Sequence, residues 1–221
     1  EEPDVAYCVR RVIEECQRRD GKIVKREKRL TMADINKAIQ DVHGLTPNPP
    51  EKLRLLAQEC LSVAHVEGAM ADLGAYKGAC SYVMKRVCQD KELYAFDTWE
   101  GIPIDDLLCH HKKGEWKASL KECMELVGAD ERTSFHEGVF PESAGPAEGE
   151  VFSFAYIDVD TYQSTKAALE WFWPRMAAGG KVMIDDIPWE PCAGTEKAVR
   201  EFFQPEQLQL FPEALAAVVT K

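Results

Sequence analysis

Four aspartates dominate the chemistry this sequence can offer. The run Phe152-Ser153-Phe154-Ala155-Tyr156-Ile157 ends in Asp158-Val159-Asp160, and the run Lys181-Val182-Met183-Ile184 ends in Asp185-Asp186. Apolar and aromatic runs of this length, closed by turn residues, read as buried parallel strands covered on both faces. Two such strands in one sheet put all four carboxylates at its carboxyl edge, where open α/β sheets bind ligands. Carboxylates crowded together repel unless some hold protons or a cation sits among them. A divalent metal is the simpler expectation. Asp160 is the best candidate for a catalytic base, with His136 and Lys166 as weaker alternatives.

A second group of residues suits a nucleotide-like ligand. Ala69-Met70-Ala71-Asp72-Leu73 reads as a strand that turns through Gly74-Ala75-Tyr76-Lys77-Gly78 into a helix from about Ala79 to Val87. Glycines at such a turn let a ligand lie against bare backbone at a helix N-terminus. Taken alone, the pattern is also that of a plain tight turn. Leu93-Tyr94-Ala95-Phe96 is the next strand, and Asp97 at its end is placed to accept hydrogen bonds from ribose hydroxyls. A capping aspartate is the simpler reading of Asp97 by itself. The spacing Gly74-x-x-x-Gly78 lacks the tighter G-x-G-x-x-G of nicotinamide dehydrogenases.

These residues need a frame, and the rest of the chain supplies one. Apolar residues at helical spacing mark amphipathic helices over Val5–Arg18, about Thr31–Val42 and Glu51–Ala64. Thr31 with Asp34 forms an N-terminal capping signature. Basic Ile23–Arg29 reads as a solvated surface segment. The Asp105–Gly114 stretch, with His110 next to His111, suits a mobile lid rather than a metal pair. Trp116–Val127 reads as a helix, Thr133–Phe140 as a short strand with its exit loop, and about Gln163–Trp173 and Thr195–Phe203 as further helices. Gln207–Phe211 and Ala214–Thr220, separated by Pro212-Glu213, read as a hairpin of two antiparallel strands. The order is that of an α/β protein with a helical region at residues 1–64 and a ligand-binding domain at 65–221.

Composition narrows the partners. With 27 basic against 38 acidic residues the net charge is -11, which argues against a general nucleic-acid or anionic-membrane binder. No run of about 18 apolar residues occurs. Eight cysteines without a C-x-x-C pair fit a reduced, cytoplasmic protein better than a disulfide scaffold. A small-molecule acceptor is the partner expected, and a homodimer is the assembly expected if there is one.

The chain resembles the class I S-adenosylmethionine-dependent methyltransferases, and within them the macrocin O-methyltransferase family of sugar O-methyltransferases. The resemblance rests on Ala71-Asp72-Leu73-Gly74 with Gly78, on Phe96-Asp97-Thr98-Trp99-Glu100-Gly101-Ile102-Pro103, on Ile157-Asp158-Val159-Asp160-Thr161-Tyr162-Gln163-Ser164-Thr165, and on Gly179-Gly180-Lys181-Val182-Met183-Ile184-Asp185-Asp186. It departs from the family at Tyr76-Lys77-Gly78-Ala79, where an aromatic-Arg-Gly-Gly element is usual; lysine keeps the charge but not the bidentate fork.

The resemblance implies a Rossmann-like, seven-stranded, mostly parallel sheet with a terminal antiparallel hairpin. It implies that Asp72, Gly74, Tyr76 and Gly78 hold the methionine end of S-adenosylmethionine, Asp97 and Thr98 its ribose, and Glu137, Gly138, Val139 and Phe140 its adenine. It also implies a Mg²⁺ ion on Asp158, Asp185 and Asp186, with Asp158 and Asp160 catalytic and a vicinal diol or sugar hydroxyl of a natural product as acceptor. The rivals are a catechol or phenol O-methyltransferase of the same fold and a non-catalytic S-adenosylmethionine-binding partner subunit.

Overall fold

A computed structural model describes residues 30–221. The expected helix over Val5–Arg18 and the basic Ile23–Arg29 stretch lie outside the described residues.

The runs that lack polar residues form the middle of a sheet. Strands β1 (Ala69–Leu73) and β4 (Phe152–Ile157) are buried at every position. They lie side by side at the centre of a seven-stranded sheet, with β2 (Leu93–Asp97), β3 (Thr133–Glu137), β5 (Met176–Asp185), β6 (Gln209–Phe211) and β7 (Ala216–Thr220) in the order β3-β2-β1-β4-β5-β7-β6. The first five strands pair in parallel, and β7 runs antiparallel to both β5 and β6. This is a seven-stranded, mostly parallel sheet with the reversed terminal strands the sequence led us to expect. The strand order reverses between β1 and β4, which opens a crevice at their carboxyl ends.

Side chains alternate across the pleat. Met70, Phe154, Tyr156 and Met183 face a layer built from α1 (Met32–Asp41), α2 (Pro50–Ser62), α3 (Ala79–Val87) and α4 (Leu120–Val127). Ala71, Phe96, Ala155 and Ile157 face α5 (Tyr162–Phe172) and α6 (Ala193–Phe202), whose Ala168, Leu169, Phe172 and Val199 fill the opposite core. The helix starts are marked in the sequence: Thr31 and Asp34 close a reciprocal capping box on α1, Pro50 occupies the first turn of α2, and Thr161 caps α5.

Several boundaries differ from the sequence reading; β5, for one, begins at Met176 rather than Lys181. The helix expected from Trp116 begins only at Leu120, because Ser119 accepts the Glu122 N–H as its cap and Trp116 sits at φ 60, outside helical space. The terminal strands are joined through residues 212–215, with Leu215 left-handed at φ 49, rather than through Pro212-Glu213 alone.

Candidate functional site

A cavity of about 470 Å³ opens at the carboxyl ends of β1, β2, β4 and β5. Gly74, Ala75, Tyr76, Asp97, Thr98, Gly138, Val139 and Phe140 form one end, and Asp158, Asp160, Asp185 and Asp186 form the other. Residues from Thr46 to Lys52 and the segment holding Ile102, His111 and Trp116 wall it in, together with Trp189. Among the described residues, six non-glycine residues adopt a positive φ: Tyr76, Trp99, Trp116, Asp160, Asp186 and Leu215. All except Trp99 line this cavity. Strained backbone is concentrated where side chains must be aimed inward.

The glycine-loop end is held by its own backbone. Gly74, at φ +93, donates its N–H to the Phe96 carbonyl at 2.9 Å. A Cβ there would lie 1.8 Å from the Asp158 carbonyl oxygen, so no other residue fits. Asp97 accepts the Tyr76 N–H at 2.7 Å on one oxygen and the Trp99 N–H at 2.6 Å on the other. The Trp99 indole N–H donates to the Tyr76 carbonyl at 2.9 Å and closes the loop. Burial raises the Asp97 carboxyl above its usual range, against the pull of those N–H groups. Each oxygen keeps a lone pair, so a diol can still be bound.

Three of the expected cofactor residues stand outside the cavity. Asp72 is fully buried and accepts the Ser81 hydroxyl proton, while its Oδ1 has no hydrogen-bond partner. Burial pushes its carboxyl up to about 7. Gly78 begins α3 at φ 88, and a Cβ there would meet Val127 at 2.8 Å and Cys123 at 2.9 Å. Its part is to let α3 and α4 pack closely. Glu137 is exposed at the end of β3.

The carboxylate end is arranged differently. Asp158, Asp160 and Asp186 each bring an oxygen within 4.8 Å of the others. Burial raises all three carboxyls, with their acidic neighbours adding to it: Asp158 lies well above its usual range, Asp186 reaches about 8, and Asp160 rises against the pull of His111. Asp185 is set apart. Lys52 Nζ sits 2.5 Å from its Oδ1 as an ion pair, and the Tyr156 hydroxyl donates to its Oδ2 at 2.9 Å. Lys52 is itself buried; burial draws its pKa down, but the attraction of Asp185 and Asp158 outweighs that and leaves it raised. Asn48 reaches the same Tyr156 hydroxyl at 3.4 Å.

The donor set fits a hard divalent cation. Three carboxylates that cannot all ionise side by side are what Mg²⁺ chemistry uses. The convergent set is Asp158, Asp160 and Asp186, whereas the family resemblance implied Asp158, Asp185 and Asp186. Lys52 already balances Asp185.

Of the weaker base candidates, His136 stacks on Tyr94 and Phe96 and Lys166 lies over the Tyr162 ring, both off the cavity. His110 is exposed near Glu190, while His111 turns inward against Trp116 and Trp189. Lys52, Asn48, Tyr156 and Trp189 escaped the sequence reading. Lys52 could have been found, since it stands four residues before Leu56 and eight before Cys60, on the buried stripe of α2.

Comparison with known proteins gives a consistent picture. The family described as Macrocin-O-methyltransferase (TylF) matches residues 50–210. The chain is 27% identical over 156 residues, 61% of its length, to the 8-demethyl-8-(2,3-dimethoxy-alpha-L-rhamnosyl)-tetracenomycin-C 4'-O-methyltransferase of Streptomyces olivaceus. The matches span 59 to 60% of the length of the curated relatives. Among solved structures, a calicheamicin methyltransferase superposes with a TM-score of 0.63 at 19% identity, covering 91% of this chain and 97% of that one. An SAH-bound methyltransferase of Podospora anserina gives a TM-score of 0.56 at 14% identity, covering 99% and 97%.

Proposed function

Because this chain belongs to the macrocin-O-methyltransferase family, we propose that it methylates a hydroxyl of a vicinal diol, a sugar in a natural product, using S-adenosylmethionine and Mg²⁺. One observation carries this reading: the Asp97 loop and the Asp158–Asp160–Asp186 cluster open into a single cavity, and meet where Gly74 packs against Asp158. Donor and acceptor can therefore lie end to end. The sugar substrates named for the relatives support the acceptor class.

Asp97 accepts the ribose hydroxyls on its free lone pairs, and Gly74 leaves bare backbone for the methionine end. Val139 and Phe140 border the adenine. S-adenosylmethionine supplies the methyl group as a sulfonium, and Mg²⁺ on Asp158 and Asp186 would lower the pKa of the acceptor hydroxyl. Asp160, with its raised carboxyl pKa, receives the hydroxyl proton on a carboxylate oxygen. Lys52 and Tyr156 hold Asp185 fixed behind Asp186. Trp116, Trp189 and His111 keep water off the reacting atoms. Within residues 30–64, the stretch from Thr46 to Lys52 caps the acceptor side, since it forms that wall.

The deciding experiment is methyl transfer from S-adenosylmethionine to a vicinal-diol glycoside and to a catechol, each with Mg²⁺ and with EDTA. The expected result is product from the glycoside with Mg²⁺ alone. Preference for the catechol would move the acceptor class to phenols, and full activity in EDTA would remove the ion from the mechanism.

A further inference from the structure

Of the five tryptophans in the chain, three serve the two cores: Trp99 is buried in one, and Trp171 and Trp173 pack against the other. Trp116 and Trp189 belong to neither, and both line the cavity. Trp116 is 40% exposed and holds a left-handed φ of 60. A large ring that is strained, partly exposed and outside the core contributes little to folding that would offset those costs. Its surface is open to a ligand instead. The ring is also one of a row. Tyr76 and Trp116 meet edge to face at 5.9 Å, His111 meets Trp116 at 5.3 Å, and Trp189 lies 5.8 Å from His111. The row starts at the glycine loop and ends at the floor, where His111 brings a ring nitrogen within 4.8 Å of an Asp160 oxygen.

We propose that Trp116 and Trp189 form a stacking subsite for a flat apolar ring of the acceptor, so that the preferred substrate is an aryl glycoside rather than a bare sugar. The proposal rests on the diol reading of the site and adds to it the class of group that lies beside the diol. The carboxylate floor can hold only the hydroxyl edge of an acceptor, and its apolar side must be recognised by the walls. An aromatic ring laid on an indole gains stacked or edge contacts beyond the area it buries. The wall is set before any ligand arrives. Ile102 N–H donates to the Glu115 carbonyl and Gly114 N–H to the Ile102 carbonyl, both at 2.9 Å, and His110 N–H ties the segment to the Pro191 carbonyl, in the turn that follows Trp189, at 2.8 Å. A preformed surface costs its ligand little ordering entropy. A cover that merely excludes water would account for apolar side chains here, but not for an indole that packs in neither core and keeps so much of its surface open.

The test is calorimetric titration of the full chain, saturated with S-adenosylhomocysteine and Mg²⁺, with two probes that share their diols, phenyl α-L-rhamnoside and methyl α-L-rhamnoside. The phenyl glycoside should bind about tenfold tighter. Trp116→Ala and Trp189→Ala should each erase most of that preference by weakening the phenyl glycoside alone, and Trp116→Phe should keep most of it. Thermal midpoints show which variants fold, and either alanine variant alone suffices. Equal affinity for the two probes, no binding of the phenyl glycoside, or the same loss for both probes in the alanine variants would overturn the subsite. Methyl transfer plays no part in the readout: a phenyl glycoside that binds with this preference yet is never methylated leaves the subsite standing and removes the transferase reading.

Discussion

The two ends of the cavity solve the problem of a buried carboxylate in opposite ways. At the glycine loop, Asp97 receives the backbone N–H groups of Tyr76 and Trp99, so the chain satisfies the charge before any ligand arrives. At the floor of β4 and β5, Asp158, Asp160 and Asp186 face one another, and Lys52 is the cation drawn toward them, 3.9 Å from Asp186. The first end is finished by its own backbone; the second is finished only by something added. A preformed cradle suits a ligand used in every turnover, whereas mutual repulsion among carboxylates is a store of affinity for a cation.

Changes at the floor should cost more than changes at the loop. Asp160→Asn removes the proton acceptor, and we expect kcat to fall by about 10²–10⁴-fold with cofactor affinity unchanged, measured by steady-state kinetics and calorimetry on the same preparation. Equal activity would sink the assignment of the base. Lys52→Met strips Asp185 of its counter-charge, and in metal-free buffer the unfolding free energy should drop by about 3–5 kcal/mol, read from urea melts. Adding Asp185→Asn should recover most of that loss; no recovery would mean that Lys52 acts through packing.

Asp72→Asn tests a buried carboxyl whose folded pKa is raised to about 7. A raised carboxyl contributes its stability below its unfolded pKa of about 4 and loses it as pH climbs to about 7. The variant should therefore match the wild type near pH 4 and exceed it by up to about 4 kcal/mol at pH 8, followed by thermal melts across that range. A difference independent of pH would place the proton elsewhere. The smallest effect is expected at Asp97→Ala, which should weaken S-adenosylmethionine binding by about 10–100-fold, the worth of one hydrogen bond to a charged group, while leaving metal binding alone. If it abolished metal binding as well, the two ends would not be separable.

Much of this was legible because it lies in local pattern. The apolar runs closed by aspartates became β4 and β5, Asp97 ended β2 as the spacing required, and the capping pair Thr31 and Asp34 marked its helix. What escaped depends on contacts between distant segments. Lys52 meets Asp185 across 133 positions of sequence, and no periodicity reports that pairing. Trp116 sat inside a plausible helical stripe, yet its left-handed backbone turns it into the cavity wall. The carboxylate cluster was visible as four residues, but the division that sets Asp185 apart needed the neighbouring helix to be seen.

The contact between Gly74 and Asp158 also bears on how such an enzyme can change. With no room for a single extra carbon between them, the spacing of the two ends is a fixed gauge rather than an adjustable part. New acceptors must then be accommodated by redrawing the Thr46–Pro49 turn and the segment from Ile102 to Trp116, which wall the cavity without belonging to the sheet edge. The reaction centre travels unchanged through that redesign, and variety is confined to the rim.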